Sequence, residues 1–310
     1  MPLVSVVVAA YNASAYVRTA IEGVLAQTIG DIEVIVVDDG SIDNTAQVVQ
    51  AIADERVRYV YQVNQGPSAA RNAGIRLARG EFVAFLDSDD RWMPSKLEAQ
   101  LDRFKEVPGA GLVHCTTIIV DNDGHVQRCQ AASLEGYALD ALLMGNKIAT
   151  SSVMVPRHVF DRVGGFDESI SRGEDWEMWL RISALFPIAA VSKPLVVYTL
   201  VPDSLAKNTP FLLKDCLSVV RKAFSSYGAH RNHLRRQVMA RVHFGAGVGF
   251  GTSGHCSDAR KELVRALCYY PLIPGAYWRL LLTFLGPALN RAARRTKDRV
   301  LGKLAGWGLQ

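Results

Sequence analysis

Four short apolar runs, separated by helical segments and ending in acidic or turn residues, constrain this chain more than any other feature. Residues 3–10 (LVSVVVAA), 32–37 (IEVIVV), 57–63 and 81–86 (EFVAFL) are rich in β-branched and aromatic residues. Near-continuous apolar runs of this length suit strands buried on both faces. Between them, residues 16–27 place Val17, Ile21, Val24 and Leu25 on one helical face, and residues 44–53, 68–78 and 94–106 also carry helical patterns. Strands alternating with short helices predict an α/β fold built from βαβ units around a mostly parallel sheet. Such sheets bind ligands at the carboxyl ends of their strands. Asp38-Asp39-Gly40-Ser41 and Asp87-Ser88-Asp89-Asp90 stand at two of those ends.

Further along, residues 111–120, 151–155 and 191–200 are strand candidates. Asp121-Asn122-Asp123-Gly124 predicts a hairpin turn, because Asp-Gly supplies the positive φ such a turn needs. Gly173-Glu174-Asp175-Trp176 opens an amphipathic helix. From about Thr209 strand signals fade and the chain predicts helices broken by Gly and Pro, which puts a boundary near residue 205 and a helical region over 206–310. Charge divides in the same place. Residues 1–200 hold 17 Lys and Arg against 25 Asp and Glu, whereas residues 201–310 hold 18 against 5. The five cysteines form no C-x-x-C pair, which argues against a zinc site or disulfide framework. No basic stretch and cleavage site marks the N-terminus as a secretory signal, so a cytoplasmic location is expected.

Asp87, Asp89 and Asp90 crowd three carboxylates into four residues, an arrangement that repels itself unless a cation sits among them. Mg²⁺ and Mn²⁺ take hard oxygen ligands of this kind, often together with substrate phosphates. A solvated acidic loop before the next helix is the alternative. Asp38-Asp39 offers a carboxylate able to accept the imide N–H of a uracil or thymine ring, and the same residues also make good turn chemistry. In Gly66-Pro67-Ser68-Ala69-Ala70-Arg71-Asn72-Ala73-Gly74 a glycine turn leads into a small-residue helix. It serves close packing, and its Arg71 projects one cation toward the strand ends. Glu174 and Asp175 are candidate bases, since a transferase that inverts at a sugar carbon needs a carboxylate to take the acceptor's proton. Helix capping competes with that role. Trp176 and Trp179 present flat apolar surface suited to a sugar, or fill the core. Signatures of other chemistry are missing: no G-x-G-x-x-G follows the first strand, and G-x-x-x-x-G-K-[ST] and G-x-S-x-G are absent.

Taken in order, Val4-Ser5-Val6-Val7-Val8 with Tyr11-Asn12, Asp38-Asp39-Gly40-Ser41, Ala70-Arg71-Asn72, Leu86-Asp87-Ser88-Asp89-Asp90 and Gly173-Glu174-Asp175 resemble family 2 inverting glycosyltransferases over roughly residues 3–200. The resemblance implies a GT-A fold, Rossmann-like, with a nucleotide-binding half (about 1–106) joined to an acceptor half (107–205) in one catalytic domain. It implies that Ala9, Tyr11 and Asp39 contact the nucleobase and that Arg71 lies near the base or diphosphate. Asp87 and Ser88 belong to the nucleotide site, and Asp89, with Asp87, to the Mn²⁺ or Mg²⁺. Asp175 is implied as general base with Glu174 beside it. The activity implied is sugar transfer from a nucleotide-sugar donor, UDP- or dTDP-linked, to a hydroxyl of a glycan or lipid-linked acceptor in surface polysaccharide synthesis. Relatives carry an Arg and a His after the last strand, where this chain has Tyr198-Thr199-Leu200-Val201-Pro202-Asp203-Ser204, and Asp203 is a possible substitute.

The C-terminal region holds uncharged stretches at 266–278 and 280–290, 13 and 11 residues long, followed by Arg291, Arg294, Arg295, Lys297, Arg299 and Lys303. Both stretches fall short of the ~20 residues that span a bilayer. An apolar segment beside basic residues suits an anionic membrane face. A helical subdomain is the alternative, and no nucleic-acid-binding motif accompanies the charge. A catalytically silent nucleotide-sugar binding module and a membrane-associated scaffold are the rival functions.

Overall fold

The computed structural model describes residues 1–200, 209–227 and 231–285. The chain begins β1 (Val4–Ala10), α1 (Val17–Leu25), β2 (Ile32–Asp39), α2 (Thr45–Gln50), β3 (Val57–Gln62), α3 (Pro67–Leu77) and β4 (Phe82–Asp87). It continues β5 (Arg91–Trp92), α4 (Lys96–Glu106), β6 (Leu112–Asp121), β7 (Val126–Gln130), α5 (Leu139–Leu143), β8 (Met154–Pro156), α6 (Val159–Val163), α7 (Glu174–Leu185) and β9 (Ile188–Leu200). Four helices follow: α8 (Thr209–Tyr227), α9 (Asn232–Thr252), α10 (Cys256–Tyr269) and α11 (Ala276–Leu282).

The sheet runs β3-β2-β1-β4-β8-β6-β9-β5, with β7 paired to β6. The first four strands are mutually parallel, as the alternating pattern predicts. Beyond β4 the sheet is mixed: β8 runs antiparallel to both β4 and β6, while β6 and β9 are parallel. Alternation along β1 sets the two faces of the core. Val4, Val6 and Val8 pack with Val17, Ile21 and Val24 of α1 on one side. On the other, Val7 meets α3 so closely that a Cβ added at Gly74 would lie 2.3 Å from Val7 Cγ1. Small residues on this face of α3 thus bring the helix against the sheet and carry Arg71 with it.

By internal packing the chain divides into two units, the first holding Met1–Leu142 and Asn146–Pro202. The boundary drawn near residue 205 falls among residues 201–208, outside the described ones, as does the basic cluster from Arg291 to Lys303. Within the second unit α9 packs along α10, where buried His243 shares a hydrogen bond with Glu262 at 2.6 Å.

Two sequence expectations are corrected. The strand expected at 151–155 begins later, because Thr150–Ser152 form a short 3-10 turn. There the Ser152 hydroxyl donates to the Ala149 carbonyl and the Ser151 hydroxyl to Asp90, side-chain bonds that compete with a strand ladder. The two-residue strand β5 was not foreseen. It forms because Arg91 and Trp92 pair with Val197 and Val196 of β9, a long-range partnership with no local signature. The hairpin at Asp121-Asn122-Asp123-Gly124 forms as expected, with Gly124 at φ +83°.

Gly74→Ala is expected to cost about 1–3 kcal/mol by overpacking Val7. Urea denaturation of the two proteins measures the difference.

Candidate active site

The register of the parallel strands gathers the acidic clusters at one edge. Ala9 lies opposite Val37 on β2 and Asp87 on β4, and Ala10 opposite Asp38. Arg71 arrives at the same edge on α3 and is buried. Its Nη2 donates to Asp87 Oδ1 at 2.8 Å and its Nη1 to Glu174 Oε1 at 2.7 Å. The guanidinium also lies 5.4 Å from the centre of the Phe166 ring. Burial works against the cation, and the two carboxylates outweigh it, holding the Arg71 pKa above its ordinary value. Next in sequence, Asn72 donates to the Phe166 carbonyl and Glu168 Oε1 and accepts the Phe166 N–H. Helix α3 therefore ties the first four strands to the segment that leads into α7.

The three aspartates after β4 occupy three environments. Asp87 is paired with Arg71. Asp89 is half-buried and has no ion pair among the described residues; burial, then the Asp87 charge, push its carboxyl up to about 6. Asp90 turns inward and is buried, its Oδ2 accepting the Ser151 hydroxyl at 2.5 Å and its Oδ1 the Thr199 N–H at 3.1 Å. Burial and its two aspartate neighbours hold its pKa well above the usual carboxylate range. Ser88 is half-buried between them.

Asp175, in the first turn of α7, accepts from Asn146 Nδ2 at 2.8 Å and from its neighbour's Trp176 N–H at 2.6 Å. Burial and the adjacent Glu174 charge push its carboxyl up to about 7, against the lowering effects of Arg71 and the Asn146 bond. Tyr198 lies near both groups: burial and the charges of Asp90, Asp87, Asp89 and Asp175 raise its phenol.

On the nucleotide side, Tyr11 is half exposed and Ala9 partly so. Asp39 is buried and already accepts from Gln62 Nε2, Gln65 N and Gly66 N, so it also ties down the loop after β3. Asp38 accepts from Ser41 N and the Tyr59 hydroxyl. Trp176 and Trp179 are corrected as sugar platforms. Trp176 is 5% exposed with its indole N–H on the Leu142 carbonyl, and Trp179 is fully buried against Phe85 and Phe166. Both are core residues because α7 turns that face inward.

Sequence reasoning missed Asn146 and Ser151 and gave Asn72 no role beyond its place in the motif; their partners lie 29 to 96 residues away. Of the segment after Tyr198, only Thr199 and Leu200 are described. Among the described residues, the trio of ligand atoms within 4.8 Å of one another is Asp121, Asp123 and His125. It belongs to the exposed hairpin turn, where Asp121 accepts from the backbone of Asp123 and His125 and from Gln127.

With this geometry in place, residues 5–161 match the family described as glycosyl transferase family 2. The chain belongs to that family. Chondroitin synthase of Escherichia coli is 33% identical over 200 residues, 62% of this chain and 28% of that protein. The succinoglycan biosynthesis protein ExoO of Rhizobium meliloti is 37% identical over 189 residues, 57% of this chain and 54% of that protein. The matched stretch thus spans about half or less of these relatives' lengths. The fold matches the solved structure of S. aureus TarS 1–349 in complex with UDP-GlcNAc, with TM-score 0.68 over 96% of this chain and 92% of that one at 18% identity. The family 2 glycosyltransferase fold is therefore GT-A, a mixed α/β sheet flanked by helices with further helices at the C-terminus.

Asn146→Ala removes a donor that favours the Asp175 carboxylate, so its titration midpoint is expected to move up from about 7. A carboxyl-carbon NMR titration of the variant and the parent reads this directly.

Proposed function

We propose that this family 2 glycosyltransferase moves a sugar from a nucleoside-diphosphate donor, uridine- or thymidine-linked, onto a hydroxyl of a glycan or lipid-linked acceptor with inversion. The observation that carries it is the geometry of Asp175, held by Asn146 in the first turn of α7 next to Glu174, which Arg71 ties to Asp87 at the strand end; burial also raises its proton affinity to about 7. A general base works best when its pKa lies near the working pH. Asp175 takes the proton of the acceptor hydroxyl, the oxygen attacks the anomeric carbon from the side opposite the diphosphate, and the carbon–oxygen bond to the diphosphate breaks. Glu174, held by Arg71, keeps α7 at the strand edge while its charge raises Asp175.

The donor set fits a divalent cation. Asp89 offers a hard oxygen whose charge is disfavoured by its surroundings and unmatched by any described ion pair, and Asp87 has one oxygen left beside its Arg71 bond. Mn²⁺ or Mg²⁺ bound there would offset the charge of the departing nucleoside diphosphate. Ala9, Tyr11 and Asp39 border the nucleobase in this reading, with Ser88 at the ribose side. Structures of TarS hold UDP and UDP-GlcNAc, which supports a uridine donor. The names of chondroitin synthase and ExoO support a place in polysaccharide synthesis.

The catalytic unit is taken as residues 1–205, and residues 206–310 are assigned to an anionic membrane face at which the acceptor is met. No helix among the described residues is long and apolar enough to cross a membrane. Leu272, Tyr277, Trp278, Leu281, Phe284 and Leu285 are exposed in the second unit, whose sequence carries a large basic excess. Apolar surface combined with positive charge favours interfacial binding.

A panel of nucleotide sugars with Mn²⁺, scored for nucleoside diphosphate release, tests the reaction. Asp175→Asn is expected to lose at least a hundredfold in kcat, and full turnover by this variant excludes Asp175 as base. In the parent, kcat is expected to fall as pH drops below about 7, because protonated Asp175 cannot accept the proton. Asp89→Ala is expected to abolish the Mn²⁺ dependence of donor binding, read by calorimetry. For the second unit, cosedimentation with vesicles containing phosphatidylserine is expected to fall when Trp278 and Phe284 are both changed to Ser. Equal binding by that variant removes the aromatic face from the interaction.

A further inference from the structure

The turn that presents Asp87 and Asp89 is held from behind by one buried hydroxyl. Ser151 is fully buried in the 3-10 turn that precedes β8. Its Oγ accepts the Asp87 N–H at 3.0 Å and donates to Asp90 Oδ2 at 2.5 Å. Its carbonyl accepts the indole N–H of Trp92, also buried, at 2.8 Å. The far oxygen of Asp90 accepts the Thr199 N–H of β9, and the Asp90 N–H closes the turn on the Asp87 carbonyl at 3.0 Å. One serine therefore bonds the first and last residues of the Asp87–Asp90 turn, and through Asp90 joins that turn to β9.

A second buried set braces the serine. Lys96 is fully buried, with its ammonium 3.7 Å from the centre of the Trp92 ring and donating to Gln100 Oε1 at 2.7 Å. Gln100 Nε2 in turn donates to the Ser152 carbonyl at 2.8 Å and the Val113 carbonyl at 2.9 Å. Both carbonyls of the Ser151-Ser152 turn are thus occupied, and the serine cannot shift without breaking bonds to α4 or Trp92. Generic burial of a serine does not call for this. A hydroxyl that donates to one end of an acidic turn and accepts from the other fixes where that turn's exposed carboxylates point.

We propose that Ser151, through its bonds to the Asp87 N–H and to Asp90, is the positioning residue for the Asp87–Asp89 carboxylates, setting their affinity for a divalent cation and the donor's diphosphate. Asp90 is the inward anchor of the turn and leaves ligation to Asp89 and Asp87. The inference rests on the proposed metal role of those two residues. Partners one step removed from a metal's ligands set ligand orientation, and their loss typically weakens metal affinity about 10–100-fold.

The test uses the full chain and Mn²⁺ as probe. Free Mn²⁺ is followed by electron paramagnetic resonance with UDP present, beside thermal unfolding and, where turnover exists, kcat and donor KM. Ser151→Ala is expected to weaken Mn²⁺ binding at least tenfold and to raise donor KM more than it lowers kcat. Ser151→Thr, which keeps the hydroxyl, is expected to stay within about threefold of the parent. Because Ser151→Ala leaves Asp90 one partner short in the core and so costs stability, Ser151→Ala with Asp90→Asn is run alongside. It is expected to fold and still to bind Mn²⁺ at least tenfold more weakly, since the Asp87 N–H remains unanchored. Parent-like Mn²⁺ binding in either Ala variant overturns the proposal. A parent that binds Mn²⁺ with UDP yet transfers no sugar defeats the proposed function while leaving the Ser151 measurement intact. A parent that binds no Mn²⁺ overturns both.

Discussion

The arrangement of this candidate site depends on a buried cation. Removing a guanidinium from water carries a penalty of several kcal/mol, recovered only where geometry and hydrogen bonding are good. Arg71 meets that condition with one nitrogen on Asp87 and another on Glu174, residues 16 and 103 positions away in sequence. Each acid belongs to a different part of the first unit, one at the end of β4 and one at the start of α7. The guanidinium reaches both because α3 lies hard against β1, which in turn requires glycine at position 74. Close packing on one face of a helix and ion pairing at its side are therefore parts of one constraint.

Once Arg71 is placed, the remaining carboxylates are distinguished by surroundings alone. Asp87 and Glu174 spend charge on the guanidinium. Asp90 is drawn inward by Ser151 and Thr199. Asp89 and Asp175 are left partly buried with less compensation, and their proton affinities rise to about 6 and about 7. Environments that push like groups apart in pKa are how one site assigns different tasks to identical side chains. The local sequence Asp87-Ser88-Asp89-Asp90 does not reveal this division, since nothing in it separates an outward aspartate from an inward one.

The same distinction explains what was legible in the sequence. Period-two and period-3.6 patterns and the acids at strand ends record local physics, so the first four strands, α3 and the strand-edge location of the site could be seen in advance. Side-chain direction across long separations leaves no such record. Trp176 and Trp179 looked equally able to face a sugar or the core, and the inward face of α7 decided it. Ser151 looked like a strand residue, although its hydroxyl is committed to a partner 61 residues away. Asn146 carried no signal, because its role exists only once Asp175 is folded beside it. The change from parallel to mixed sheet after β4 was likewise hidden, being fixed by which edge each later strand finds.

Charge counting then bears on how such a site deals with a diphosphate. The Arg71 guanidinium at its centre is bonded to two carboxylates, so it contributes no surplus positive charge. Asp89 and Asp175 add to the negative side when ionised, and residues 1–200 as a whole carry eight more acidic than basic residues. A nucleoside diphosphate brought to this edge meets net repulsion at short range, where screening by salt is weak. Binding it requires positive charge from outside the set that the strand ends supply. In the proposed function, a divalent ion on Asp89 and Asp87 would supply two units at the point of need and would relieve the repulsion between those carboxylates at the same time. With no Arg or His at residues 199–204, still more of that task would fall to such an ion, and this gives the rigidity of the Asp87–Asp90 turn, and the serine behind it, its weight in the proposal.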